Sequence, residues 1–223
     1  MPHDGHHHDD HAPIEESSGI TEFEVMEQAI RELLIEKGIL SASQIQTQID
    51  DMDSRTPVMG QKIIARAWTD PEYKQRLISD PNSAFAEMGV TRLDENPEVV
   101  VVENTPDRHN VIVCTLCSCY PRVVLGMPPA WYKKRAYRSR VVKEPRKVLE
   151  EFGTELPDNV KIEVHDSTAD MRYLVLPMRP DGTEGWSSEQ LEALVTRDSM
   201  IGVKVPSDRK STRLNSSHSS VSR

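Results

Sequence analysis

Helical spacing governs residues 21–89 and then gives way to short runs of β-branched residues, a switch that restricts the chain to helices packed against small sheets. Thr21 and Glu24 stand at capping-box spacing, and Ile20 can staple onto Val25. Met26, Ala29, Ile30, Leu33 and Leu34 recur at helical intervals up to Gly38, a natural left-handed stop. A second helix is expected to start near Ser41 or Ser43, and a third to occupy 59–68. Asp70-Pro71 and Asp80-Pro81 each put proline in a first turn, where its missing N–H costs nothing, so two more helices follow and Gly89 closes the second. Residues 98–103 and 110–115 read as strands joined by the turn residues Asn104-Thr105-Pro106-Asp107. The pattern continues with a helix from Pro128-Pro129 towards Arg140 and another from Glu144-Pro145 to Gly153. Strands at 160–165 and 171–176, a helix from Ser187 and a closing strand at 201–205 complete it. Helices first, strands next and then a mixture define an α+β fold rather than a regular βαβ repeat.

The 223 residues suffice for one compact domain with extensions. Residues 1–19 interleave His3, His6, His7, His8 and His11 with acids and are expected to be disordered, as a loose divalent-metal binder or a solubilising tail. Residues 20–57 form a helical arm too short to be stable alone, which must lie on the main domain, 58–206, or on a partner subunit. Residues 207–223 turn abruptly to Ser, Arg and Lys and read as a disordered tail, native or foreign. No apolar run approaches the roughly 20 residues that span a bilayer, and the start has neither a basic nor a hydrophobic signal region, so a cytoplasmic protein is expected. A net charge of −9 argues against nucleic acid; the basic stretch at 133–147 reads as a solvated helix face or a subunit contact.

All three cysteines fall within six residues, Cys114-Thr115-Leu116-Cys117-Ser118-Cys119, at the end of the second strand. An odd, clustered set is a poor disulfide framework and points to a metal or to redox chemistry. Structural zinc wants four ligands and iron–sulfur clusters normally four cysteines. The nearest histidine, His109, lies on a strand whose alternation can point it elsewhere. Three sulfurs leave coordination open, as a catalytic metal requires, and the amides of Ser118 and Cys119 lie between the sulfurs as further donors for a strongly polarising trivalent ion. Thiolates on such an ion are prone to oxidation to sulfenate and sulfinate. A catalytic metal, a structural metal and reactive thiols all remain open on the residues alone. Trp131 and Tyr132 read as core, and Asp166, Arg172 and Asp198 as buried ion-pair members. No Ser/His/Asp signature or phosphate-cradling glycine loop is present.

The cysteine motif resembles the metal claw of nitrile hydratase α subunits. The likeness extends through Ala67-Trp68-Thr69-Asp70-Pro71, Val124-Leu125-Gly126, Trp131-Tyr132-Lys133, Tyr137-Arg138-Ser139-Arg140, Arg172-Tyr173 and Val195-Thr196-Arg197-Asp198, covering 20–206. The resemblance implies a helical N-terminal arm followed by a four-layer α-β-β-α metal-binding domain. It implies a non-corrin metal held by Cys114, Cys117 and Cys119 with the amides of Ser118 and Cys119. Cys117 becomes a sulfinate and Cys119 a sulfenate, both at the catalytic centre, and Thr115 marks Co(III) rather than Fe(III). The implied activity is a hydro-lyase turning nitriles into amides, in an αβ or α2β2 complex with a β subunit and with a cobalt-inserting activator protein. One departure is Arg122, where most nitrile hydratases carry Trp; with Tyr120 it is the candidate pocket wall. Arg122 and the arm segment Ile30-Arg31-Glu32-Leu33 are similar to the γ subunit of thiocyanate hydrolase, which makes carbonyl sulfide and ammonia; a cation there favours an anionic substrate. A non-catalytic structural metal-binding subunit is the remaining alternative.

Overall fold

The computed structural model describes residues 20–90 and 98–206, so the two tails expected to be disordered, 1–19 and 207–223, lie outside the described residues. The chain opens with α1 (Glu22–Glu36) and α2 (Ala42–Ser54). Both start with complete capping boxes, Thr21 with Glu24 and Ser41 with Gln44, in which each cap hydroxyl and its N3 side chain satisfy backbone donors reciprocally. The expected staple does not close, because Ile20 remains 84% exposed and Val25 58% exposed. Neither helix buries a residue, and Phe23, Met26, Ile30 and Leu33 all face outward.

Next come α3 (Val58–Thr69), α4 (Pro71–Ser79) and α5 (Pro81–Glu87). Asp70 and Asp80 cap α4 and α5 through their carboxylates, and the following prolines occupy the first turns as their spacing foretells. Four six-residue strands follow: β1 (Glu98–Glu103), β2 (Arg108–Val113), β3 (Lys161–Asp166) and β4 (Met171–Leu176). They form two parallel pairs, β1 with β4 and β2 with β3, so each tight turn carries the chain from one sheet to the other. Helices α4 and α5 lie against β1, β2 meets β4 between the sheets, and α9 (Pro145–Glu151) lies against β3. The result is the expected α+β fold in four α-β-β-α layers. Val111, Ile112, Val113, Leu174, Val175 and Leu176 fill the space between them.

Three expectations need correction. β2 starts and stops two residues earlier than expected because its ladder with β3 ends at the Val113–Asp166 pair. The helix expected towards Arg140 is two pieces, α7 (Ala130–Lys133) and α8 (Arg135–Lys143), separated by an extended Lys134. Six residues of unbroken helix would leave Trp131 and Tyr137 about 120° apart; the break turns both inward, with ring centroids 4.8 Å apart. The strand expected at 201–205 does not form. Thr196 caps a short helix, α11 (Arg197–Ile201), and a left-handed Gly202 ends it. α6 (Arg122–Leu125) was not foreseen, whereas α10 (Ser188–Leu194) has the expected Ser187–Gln190 box.

A buried polar chain ties the strands to the end of α11. His109 donates through Nε2 to the Gly202 carbonyl at 2.7 Å, so its Nδ1 accepts from the Asn104 amide at 3.2 Å. Asn104 Oδ1 accepts from the Asn110 backbone N–H at 2.7 Å, and Asn110 Oδ1 accepts from His165 Nε2 at 2.8 Å. Gly202 has φ +91°, and a Cβ there would stand 2.0 Å from the Asn110 carbonyl oxygen. The Gly202→Ala variant is therefore expected to lose at least about 3 kcal/mol, from strain plus the clash. Gly153→Ala, at φ +78° with nothing within 4 Å, should lose only about 1–2 kcal/mol. Urea unfolding of the two variants checks the difference. Burial holds His109 and His165 below their ordinary value of 6.5. Their contribution is fully present above pH 6.5 and lost as pH falls through the depressed folded values. The urea midpoint should therefore drop between pH 7.5 and 5, with a shallower drop in His109→Gln.

Candidate metal centre

β2 delivers the cysteines. Ser167 N–H donates to the Val113 carbonyl at 2.7 Å, closing the sheet and leaving Cys114 as the first residue free of the ladder. Asp166, at the end of β3, then takes both hydrogens that Thr115 offers, from its backbone nitrogen at 2.9 Å and its hydroxyl at 2.6 Å. Arg138 of α8 donates to the Thr115 carbonyl at 3.2 Å. Tyr132 of α7 donates to the Cys119 carbonyl at 2.9 Å, and Tyr137 of α8 to the Ile112 carbonyl at 2.7 Å. Side chains from β3, α7 and α8 thus fix the loop at both ends while its apex residue, Leu116, is 88% exposed.

Within this loop the three thiols converge without any disulfide. Cys114 Sγ is 3.4 Å from Cys117 Sγ, Cys117 Sγ is 3.2 Å from Cys119 Sγ, and all three lie within 4.8 Å of one another. With a metal–thiolate bond of about 2.3 Å, two sulfurs at right angles on one ion stand about 3.3 Å apart and two at a tetrahedral angle about 3.8 Å apart. The observed spacing suits adjacent corners of an octahedron better than a zinc tetrahedron. Cys114 is buried, Cys119 half-buried and Cys117 exposed, so one side of the set is open to ligands. His109 points away into the Gly202 contact, and among the described residues the cysteines are the one group of three or more such side chains close enough to share an ion. Hydrogen bonds from the Cys119 and Cys114 thiols lower Cys117 to about 7, whereas burial raises Cys119 to about 12 against the pull of the Arg172 charge.

Beside the sulfurs lies a cavity of about 340 Å³ bordered by Cys117, Ser118, Cys119, Arg55, Arg122 and Arg172. Tyr120 also lines it, yet its ring is buried and packs edge-on against Tyr132 at 5.2 Å. Trp131 and Tyr132 are core, as expected, and Tyr132 adds the contact with the loop. The reading of Asp166 as a buried ion-pair member needs correction. It lies at the exposed end of its strand and holds Thr115, a role that strand register alone reveals, since Val113 pairs with Asp166. Arg172 likewise borders the cavity, while Asp198 is partly buried at the start of α11, where burial raises its carboxyl. Arg55 gave no signal in the sequence because it is brought in by the end of the arm.

Among the described residues no helix is long and apolar enough to cross a membrane. The family model described as nitrile hydratase, alpha chain, matches residues 21–204. The α subunit of a cobalt-containing nitrile hydratase from Pseudonocardia thermophila is 51% identical over 178 residues, 79% of this chain and 87% of the relative. The γ subunit of thiocyanate hydrolase from Thiobacillus thioparus is 43% identical over 205 residues, 87% of this chain and 84% of that one. Among solved structures, a double mutant of the Fe-type nitrile hydratase from Comamonas testosteroni superposes with a TM-score of 0.77 at 43% identity, covering 83% of this chain and 92% of that chain. A recombinant thiocyanate hydrolase with partially modified cobalt centres gives 0.76 at 43% identity, covering 85% and 92%. With most of the described residues inside the family match and the three sulfurs gathered at its centre, the chain belongs to the nitrile hydratase α-chain family.

Proposed function

We propose that this chain is the metal-bearing α subunit of a cobalt-type nitrile hydratase, which adds water across a C≡N bond to give an amide. The observation that carries the reading is the convergence of three sulfurs, 3.2–3.4 Å between neighbours, on an open cavity in a chain whose relatives include cobalt-containing α subunits. Cys114, Cys117 and Cys119 would hold the ion through sulfur, and Ser118 and Cys119 through backbone nitrogen. A cobalt ion held there would supply Lewis-acid chemistry towards the nitrile.

The remaining work falls to the chain. In the mature centre Cys117 would be a sulfinate, by RS− + O2 → RSO2−, and Cys119 a sulfenate, by 2 RS− + O2 → 2 RSO− over two chains. The Cys119 oxygen then stands at the cavity as nucleophile or as base towards water. The balance is R–C≡N + H2O → R–C(=O)NH2, with no net redox change. Asp166 and Arg138 hold Thr115, and with it the turn that sets the sulfur spacing. Outer partners of this kind typically govern metal retention.

A β subunit completes the enzyme, as αβ or α2β2, and a cobalt-inserting activator loads it in the cytoplasm. The outward apolar faces of α1 and α2 support the need for a partner. In this reading 20–57 is the arm that grips the partner and 58–206 the metal-binding domain. A second reading, the γ subunit of a thiocyanate hydrolase, is favoured by Arg122 at the cavity and by the 205-residue match to that subunit. A non-catalytic structural metal site is the third; it requires unmodified thiols and a labile ion.

The test is amide formation from acrylonitrile, followed by NMR, with the complex co-produced with its partner in cobalt medium. Turnover is expected, with Cys119→Ser losing at least about a thousandfold in kcat through loss of a ligand and of the reacting oxygen. Conversion of thiocyanate alone selects the second reading. Turnover of neither substrate by a cobalt-loaded, oxidised complex contradicts both. Asp166→Asn should lower cobalt retention about 10–100-fold while leaving the fold intact by circular dichroism. Equal retention in variant and parent would remove Asp166 from the support of the centre.

A further inference from the structure

The cavity beside the cysteines is a local reversal of the molecule's charge. The chain carries a net −9, yet Arg55, Arg122 and Arg172 all border this space, and no Asp or Glu does. The three arrive from separate elements: Arg122 opens α6, Arg172 lies on β4 and Arg55 is the C-cap of α2. Arg55 is held there by its backbone. Gly126, at φ +69°, lets the Arg55 carbonyl come so near that a Cβ would stand 2.0 Å from its oxygen. Its side chain pairs through one Nη with Asp51 at 2.6 Å, a contact that uses part of a guanidinium with five N–H donors.

The charge balance rests on the function proposed above. Three sulfur anions and two deprotonated amides around a trivalent ion sum to −2, whether or not two of the sulfurs are oxidised. Three guanidinium groups add +3, and Asp51, paired with Arg55, returns −1. The set is balanced in sum but divided in space, because the guanidinium groups border the cavity and no carboxylate does. Guanidinium forks match a carboxylate in two-pronged fashion. A space of about 340 Å³ is also far larger than a linear triatomic anion needs.

We propose that the substrate is an organic nitrile bearing a carboxylate, its cyano end towards the cysteines and its carboxylate on Arg55, Arg122 and Arg172. Arg55, supplied by the arm, is a specificity-determining residue. Thiocyanate shares the cyano group and the charge, and is separated from this class by the experiment.

The experiment uses the cobalt-loaded complex with its partner subunit, comparing 3-cyanopropanoate, butyronitrile and thiocyanate. The carboxylate nitrile should be preferred over butyronitrile by at least about tenfold in kcat/KM, mainly through KM, as one charge-assisted contact allows. The preference should shrink with added salt. Arg55→Gln should cut it about tenfold, and Arg55→Lys should restore most of it. Arg122→Gln should act in the same direction should the Arg55 variants fold poorly. Arg108→Gln removes the same charge from a residue paired with Glu163, away from the cavity, and should leave the preference unchanged.

Calorimetric binding of 3-cyanopropanoate gives a readout independent of turnover. If no substrate is hydrated yet Arg55→Gln still weakens binding about tenfold, the function fails and the anion site stands. A complex that favours butyronitrile, or an Arg55→Gln change felt equally by both nitriles, overturns the proposal. Conversion of thiocyanate with no binding of the carboxylate nitrile overturns it in favour of a small inorganic anion.

Discussion

Asp166 governs the shape of the cysteine loop by taking both the N–H and the hydroxyl of Thr115, just where β2 releases the chain. That carboxylate is available only because β2 and β3 run parallel with Val113 opposite Asp166. Register is therefore a chemical matter in this fold. A shift of one residue would flip the alternation of the strand and turn Asp166 away from the loop. The same register is supported at the other end by the chain His109–Asn104–Asn110–His165, which locks β2 to the close of α11 through Gly202.

The two aromatic helices complete the frame. Breaking the helix at Lys134 lets Trp131, Tyr132 and Tyr137 share one buried cluster, and two of their hydroxyls reach out of it to carbonyls at Ile112 and Cys119. Buried phenols need hydrogen-bond partners, and here the partners are the backbone on either side of the sulfurs. Core packing and site geometry are thus fixed by the same residues. Arg55 adds a second link, from the arm to the cavity wall. Whatever seats the exposed faces of α1 and α2 acts on the same stretch of chain that carries this cation.

Much of this was legible in the sequence. Capping boxes and Asp-Pro pairs located the helices because they act through local hydrogen bonds, and the cysteine spacing pointed to the candidate centre because all three thiols lie on one short loop. What the sequence hid was non-local. Asp166 lies 51 residues from Thr115, and Arg55 reaches the cavity only after the arm is placed. The error at 201–205 has a local cause. Ile201, Val203 and Val205 alternate like a strand, while the cap at Thr196 uses Ser199 at N3 rather than the Glu or Gln of the usual box. The tight approach of Gly202 to Asn110, which excludes a side chain there, has no sequence signal at all.

In the proposed function the three sulfurs, 3.4 and 3.2 Å between neighbours, hold an inert trivalent ion. The direct measurement is the cobalt content of the complex, co-produced with its partner subunit in cobalt-supplemented medium, before and after exhaustive dialysis against a chelator. A trivalent centre of this kind predicts about one cobalt per chain surviving dialysis, because a low-spin Co(III) ion exchanges its anionic sulfur and nitrogen donors slowly. Cobalt that washes out, or zinc in its place, would contradict the account and leave the cysteines as a labile structural site.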